Sequence, residues 1–108
     1  MLEKLFSVVV LTYNQENLVL ETLNSIYNQT FKNIELVISD DASKDNTQKV
    51  IADWIEIHKD RFANVVINFN KENLGISENH TMGVKLANGE FVKYIGGDDI
   101  LLPEAIKK

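Results

Sequence analysis

The sequence predicts an α/β domain with a mostly parallel sheet and helices on both faces. Three observations carry that expectation. Hydrophobic residues switch regularly between near-continuous β-branched runs and stripes at three- and four-residue spacing. The order read from them is β-α-β-α-β-α-β, which calls for parallel strands joined by helical crossovers. Polar and acidic residues also collect at the points where the strands should end, the edge at which open α/β sheets bind ligands.

Each element has its own signal. Phe6 to Thr12, built around the uninterrupted apolar run Val8-Val9-Val10-Leu11, reads as a strand buried on both faces. Leu18, Val19, Leu23, Ile26 and Tyr27 form a helical stripe. Ile34 to Ser39 reads as the second strand, and Val50, Ile51, Trp54, Ile55 and His58 as the second helix. Ser43 or Asp45 is placed to cap it, with Asp45 favoured. Asn64 to Phe69 is the third strand. Ile76, His80, Val84 and Ala87 then recur at helical spacing, with Ser77 or Asn73 as caps. Phe91 to Ile95 is the fourth strand, entered through the Asn88-Gly89 turn. Pro103 suits the first turn of a helix starting near Leu102. That helix would run out at Lys108, so residues 1–108 read as one domain of a longer protein.

Composition narrows the function. The 108 residues hold 44% hydrophobic and 25% charged side chains, which places the chain among globular domains. The absence of cysteine excludes a disulfide scaffold, a zinc–thiolate site and thiol catalysis. Eleven basic against sixteen acidic residues give a net charge of −5, unfavourable for nucleic-acid binding. No apolar run approaches membrane-spanning length, and the N-terminus lacks a signal-peptide pattern. The expected setting is cytoplasmic, with any attachment to the inner membrane face made through further segments. Asn28-Gln29-Thr30 and Asn79-His80-Thr81 fit the glycosylation pattern by chance in that setting. His58 and His80 receive no role, and Trp54 is assigned to the core.

The strand ends carry the chemistry. Thr12-Tyr13-Asn14-Gln15-Glu16 follows the first strand and contains no glycine, so neither a dinucleotide fingerprint nor a phosphate-binding glycine loop is present. Phosphates would then need another counter-charge. Asp98 and Asp99, on a turn after Gly96-Gly97, could supply one through Mg²⁺ or Mn²⁺, which binds one or two carboxylates together with substrate phosphates. Asp40, at the end of the second strand, is placed to accept hydrogen bonds from a ribose or a base.

Four ordered motifs resemble the nucleotide-sugar-binding N-terminal half of a family 2 glycosyltransferase. They are Ser7-Val8-Val9-Val10-Leu11-Thr12-Tyr13-Asn14, Asp40-Asp41-Ala42-Ser43-Lys44-Asp45-Asn46-Thr47, Asn73-Leu74-Gly75-Ile76-Ser77, and Asp98-Asp99. The resemblance implies the Rossmann-like half of a GT-A fold. It also implies a nucleotide site formed by Thr12, Tyr13, Asn14, Glu16, Asp40, Asp41, Asn73 and Asp98. Within it, Asp40 would take the N–H of a uracil-like base, while thymidine and guanosine remain alternatives. Asp98 and Asp99 would hold the divalent metal. The implied reaction is inverting transfer of a sugar from a nucleoside diphosphate, most simply UDP, to a hydroxyl of a sugar, polysaccharide or lipid-linked acceptor. The resemblance places the catalytic base carboxylate after Lys108, so none is assigned here.

Two departures stand out. Gly96 stands where many relatives carry a further Asp, and Thr81 where an Asn is common, which leaves either Asn79 as its substitute or no such contact. A non-catalytic nucleotide-binding module is the second reading. A phosphoacceptor signalling domain is set aside, because its acidic pair would follow the first strand.

Overall fold

The computed structural model describes residues 4–106. Four strands, β1 (Phe6–Thr12), β2 (Ile34–Asp40), β3 (Asn64–Phe69) and β4 (Phe91–Gly96), form one sheet in the order β3-β2-β1-β4. Every pair is parallel, with Thr12 beside Asp40 and Leu11 beside Gly96. Three helices, α1 (Val19–Tyr27), α2 (Thr47–His58) and α3 (Ile76–Leu86), make the crossovers, and a single 3₁₀ turn at Lys59–Arg61 follows α2.

Handedness distributes these helices. The chain steps from β1 to β2 to β3 in one direction, so right-handed crossovers put α1 and α2 together on one face. The step from β3 across to β4 runs the other way and puts α3 on the opposite face. Val8, Val10, Leu36 and Ile38 accordingly join Val19, Leu23, Ile26, Ile51 and Trp54 in the main apolar cluster. Burial on both faces explains why the middle of each strand, Val8 to Leu11 in β1 and Leu36 to Ile38 in β2, is apolar at every position. Trp54 belongs to this core, and its indole N–H donates to Asn24 at 2.9 Å. His58 stacks on Trp54 and has its Nδ1 2.8 Å from that residue's carbonyl oxygen. The Arg61 guanidinium donates to the carbonyls of Tyr27, Gln29, Phe31 and Lys32, tying down the α1–β2 connection.

The buried face of α3 differs from the predicted one. Ile76 is 88% exposed, and the buried residues of the helix are Asn79 and Gly83. The helix lies too close to the sheet for large side chains. A Cβ on Gly83 would sit 2.6 Å from Val9 Cγ1 and 3.3 Å from both Leu11 Cδ2 and Ser39 Cβ. Replacing Gly83 with valine should therefore cost about 2–3 kcal/mol of stability through overpacking. Urea unfolding should show a lower midpoint at an unchanged slope. An unaltered midpoint would mean that α3 can retreat from β1 without loss.

The predicted caps also shift. Gly75, at φ +94°, occupies the N-cap of α3 with no side-chain cap, so neither Ser77 nor Asn73 serves there. Asp45 lies one position before the N-cap of α2, yet its carboxylate accepts the Thr47 amide at 2.9 Å. Ser43 is used elsewhere. The helix expected from Leu102 is absent among the described residues. Residues 102–106 form turns docked on the end of α1, where Gln29 Nε2 donates to the Leu102 carbonyl and Gln29 Oε1 accepts the Ile106 amide. The Thr30 amide donates to the Pro103 carbonyl. The pull of this buried glutamine on backbone groups outweighs local helix preference. Lys107 and Lys108 lie outside the described residues.

Candidate functional site

The strand order reverses between β1 and β4, so the ends of these two neighbouring strands meet at the switch point of the sheet. A cleft of about 360 Å³ opens there, lined by Leu11, Thr12, Tyr13 and Gln15 from the first strand and its loop, Asp41 after β2, Ile76 and Asn79 of α3, and Tyr94 and Gly96 of β4. A wider depression of about 680 Å³ beside β4, lined by Phe6, Val92, Lys93, Tyr94 and Ala105, contains none of the predicted site residues.

The β1 loop divides its side chains between two directions. Asn14 has a positive φ of 50°, a conformation asparagine tolerates better than most residues. On either side of it, Tyr13 and Gln15 line the cleft. Asn14 and Glu16 do not. The Asn14 amide donates to Ser43 Oγ at 2.9 Å, and Asn14 Oδ1 accepts the Lys44 amide at 2.8 Å. Glu16 accepts Asn46 Nδ2 at 3.3 Å, and its amide donates to Asp45. Asn14 and Glu16, expected from the sequence at the nucleotide, instead join the β1 and β2 loops and do not line the cleft. Burial pushes the Asp45 carboxyl up, but hydrogen bonds from the Thr47 hydroxyl, the Thr47 amide and the Glu16 amide outweigh it and hold the group below the usual aspartate range. Gln15 was missed in the sequence because nothing in its spacing separates it from Asn14 and Glu16.

The adjacent aspartates after β2 also part company. Asp40 is fully buried. Its Oδ1 accepts the Thr12 and Ser43 hydroxyls at 2.6 and 2.5 Å, and its Oδ2 accepts the Ser43 amide and Gln48 Nε2 at 2.9 and 2.8 Å. A carboxylate offers about four lone-pair sites, so nothing remains for a base. Asp40, expected from the sequence at the base, is taken up by these four donors and does not line the cleft. Asp41 is 4% exposed and reaches the cleft. It accepts the Leu74 amide and Asn70 Nδ2 on Oδ1, and the Gly75 amide on Oδ2. One acceptor position on Oδ2 stays open. Asn73, also expected at the nucleotide, is exposed and donates to the Asp41 carbonyl at 3.3 Å. Asn79 lines the cleft, but its amide is committed to Ser39 and Asn70.

Asp98 and Asp99 sit on the turn that follows β4, beside the cleft. The Gly96 amide donates to Asp99 Oδ2 at 2.9 Å, and the Asp99 amide returns to the Gly96 carbonyl. A Cβ on Gly96 would meet Asp98 Oδ1 at 2.9 Å and Asp99 Oδ2 at 3.3 Å. Both exposed carboxylates therefore fold over the space that glycine leaves. Such a donor set fits Mg²⁺ or Mn²⁺, provided phosphate oxygens and water complete the shell. Among the described residues no three His, Cys, Asp or Glu side chains gather to hold a metal by themselves.

Comparison with known proteins points the same way. A family model described as Glycosyl transferase family 2 matches residues 7–108. The Campylobacter jejuni GalNAc(5)-diNAcBac-PP-undecaprenol beta-1,3-glucosyltransferase is 37% identical over 100 residues, covering 93% of this chain and 31% of that protein. The crystal structure of S. aureus TarS in complex with UDP matches with a TM-score of 0.80 and 34% identity, over 92% of this chain and 29% of its own. A mannosyltransferase from Pyrobaculum calidifontis in complex with GDP-Man and Mn²⁺ matches with a TM-score of 0.81 and 30% identity, over 88% of this chain and 28% of its own. The chain thus spans about a third or less of the length of these proteins. No helix among the described residues is long and apolar enough to cross a membrane.

Proposed function

The chain belongs to glycosyl transferase family 2, and on that premise we propose that it is the donor-binding part of an inverting enzyme that moves a sugar from a UDP-sugar to a hydroxyl acceptor. The acceptor class is a sugar, a polysaccharide or a lipid-linked sugar, the last in keeping with the name of the Campylobacter relative. The observation that carries the nucleotide reading is Asp41. It is an acceptor-only carboxylate facing the cleft with one free lone pair, suited to the N3–H of uracil. Tyr13, 40% exposed at the cleft, offers its ring to a base face. Asp98 and Asp99 would hold the divalent cation, and the cation's contribution is to offset the charge of the diphosphate leaving group. The GDP-Man and Mn²⁺ complex of the mannosyltransferase and the UDP complex of TarS support this arrangement by likeness.

The test is base selectivity. Uracil presents a donor at N3 where cytosine presents an acceptor, so Asp41 should attract one and repel the other. Calorimetry with Mn²⁺ present should find UDP at least about tenfold tighter than CDP, from a hydrogen bond to a charged group of about 1.5–3 kcal/mol. Asp41→Asn should shrink that ratio. Equal affinities for the two nucleotides in the unaltered chain would remove Asp41 from base recognition.

A further inference from the structure

Asp40 is the most heavily hydrogen-bonded side chain near the cleft and contacts none of its open space. Its four donors come from three segments: Thr12 at the end of β1, Ser43 in the β2–α2 loop, and Gln48 in the first turn of α2. The Ser43 hydroxyl passes the constraint on by accepting the Asn14 amide. The chain of contacts therefore reaches from Asp40 to the residue beside Tyr13, while Asp41 follows Asp40 directly along the backbone. Two non-glycine residues with positive φ, Asn14 at 50° and Ala42 at 61°, sit at either end of this knot. Such conformations persist where surrounding contacts over-determine them. A random loop would not hold both.

We infer that Asp40 is the positioning residue of the nucleotide site. It orders the Tyr13 loop and the Asp41 turn against each other before any ligand arrives. The inference rests on the reading of the cleft as a nucleotide site and gives the paired aspartates separate tasks. Asp41 meets the base, and Asp40 holds the two loops that form its walls. Preorganisation of this kind raises affinity because the ligand no longer has to select the competent loop arrangement.

The experiment combines amide hydrogen exchange on the ligand-free chain with calorimetry of UDP in the presence of Mn²⁺. Asp40→Asn places an amide N–H₂ against existing donors, and Ser43→Ala removes the hydroxyl that joins Asp40 to the Asn14 amide while leaving the other three donors on Asp40. In both variants the amides of residues 14 and 43 should exchange about tenfold faster, while those of Val9 and Val37 keep their protection. UDP affinity should fall by a comparable factor, about tenfold, as the competent loop population falls. Ser43→Thr, which keeps the hydroxyl, should restore both readouts. Three results overturn the assignment. Asp40→Asn could weaken UDP with loop exchange unchanged and Ser43→Ala silent, which makes Asp40 a direct ligand contact. Exchange could rise equally at Val9 and Val37, which makes it a general stabiliser. Loops could loosen with UDP affinity intact, which separates them from the site. Should Asp40→Asn fail to fold, Ser43→Ala and Ser43→Thr decide alone. A chain that binds no UDP before any substitution overturns the nucleotide reading itself, and the unaltered titration identifies that case.

Discussion

Glu35→Ala is expected to lower the stability of the fold by about 3 kcal/mol, the cost of stranding several donors around a deleted buried carboxylate. Glu35 lies on β2, at the end of the sheet away from the cleft, and is fully buried. It accepts the Ser7 hydroxyl at 2.7 Å, Asn64 Nδ2 at 2.8 Å, and both the amide and Nδ2 of Asn88 at 2.7 and 2.9 Å. One side chain thus ties β1, β2, the start of β3 and the turn into β4. Burial pushes its carboxyl up, but the Asn88 amide and side chain, Ser7 and Asn64 together outweigh burial and hold it below the usual glutamate range. A lowered folded-state value means that the unfolded chain binds this proton more readily. The stabilisation is therefore present above the ordinary glutamate pKa and is lost as pH falls through the folded-state value. Urea midpoints measured from pH 7 down to pH 3 should fall in the unaltered chain and fall less steeply in Glu35→Ala. Parallel curves would assign the acid sensitivity to other carboxylates.

Asp99→Asn is expected to remove most of the gain in UDP affinity that Mn²⁺ confers. Losing one of the two carboxylates proposed to hold the ion should cost about 10–100-fold in metal-dependent binding, at least as much as losing a supporting group around a metal. The substitution keeps an oxygen that can accept the Gly96 amide, so the turn itself should survive. Asp98→Asn, whose carboxylate is exposed on the same turn, should act in the same direction. Titrations of UDP with Mn²⁺ and with a chelator give the measurement. If the unaltered chain binds UDP equally well in both, the acidic pair has no metal role. If only Asp98→Asn abolishes the metal effect, Asp99 serves the turn through Gly96 and not the ion.

Much of the fold and of the candidate site is legible in the sequence. The apolar runs of β1 and β2 identified strands buried on both faces, and the positions of Thr12, Asp40 and Gly96 identified one shared sheet edge. The ordered motifs pointed to the family that the comparisons show. Asp98 and Asp99 could be singled out by their place at the end of a strand, since adjacent aspartates on a turn are by themselves ordinary capping or solvated residues. Glu35 could not. An acidic residue inside an apolar strand carries no local mark of the asparagines that will surround it from residues 64 and 88. Arg61 was hidden for a similar reason, since its partners are backbone carbonyls of another segment.

The sequence by itself determined the element order, the parallel sheet and the edge at which chemistry collects. These follow from periodicity and handedness, which depend on side-chain type and the chirality of the chain alone. Only the tertiary structure decided which aspartate of the Asp40-Asp41 pair faces the cleft, which residues of the β1 loop line it, and which face of α3 is buried. Adjacent loop residues differ in direction through backbone angles such as those of Asn14 and Ala42, and those angles are held by donors arriving from other strands. The α3 face was decided by distance. Where a helix lies against a sheet at glycine spacing, the buried residues are Asn79 and Gly83, and hydrophobicity no longer marks the inside.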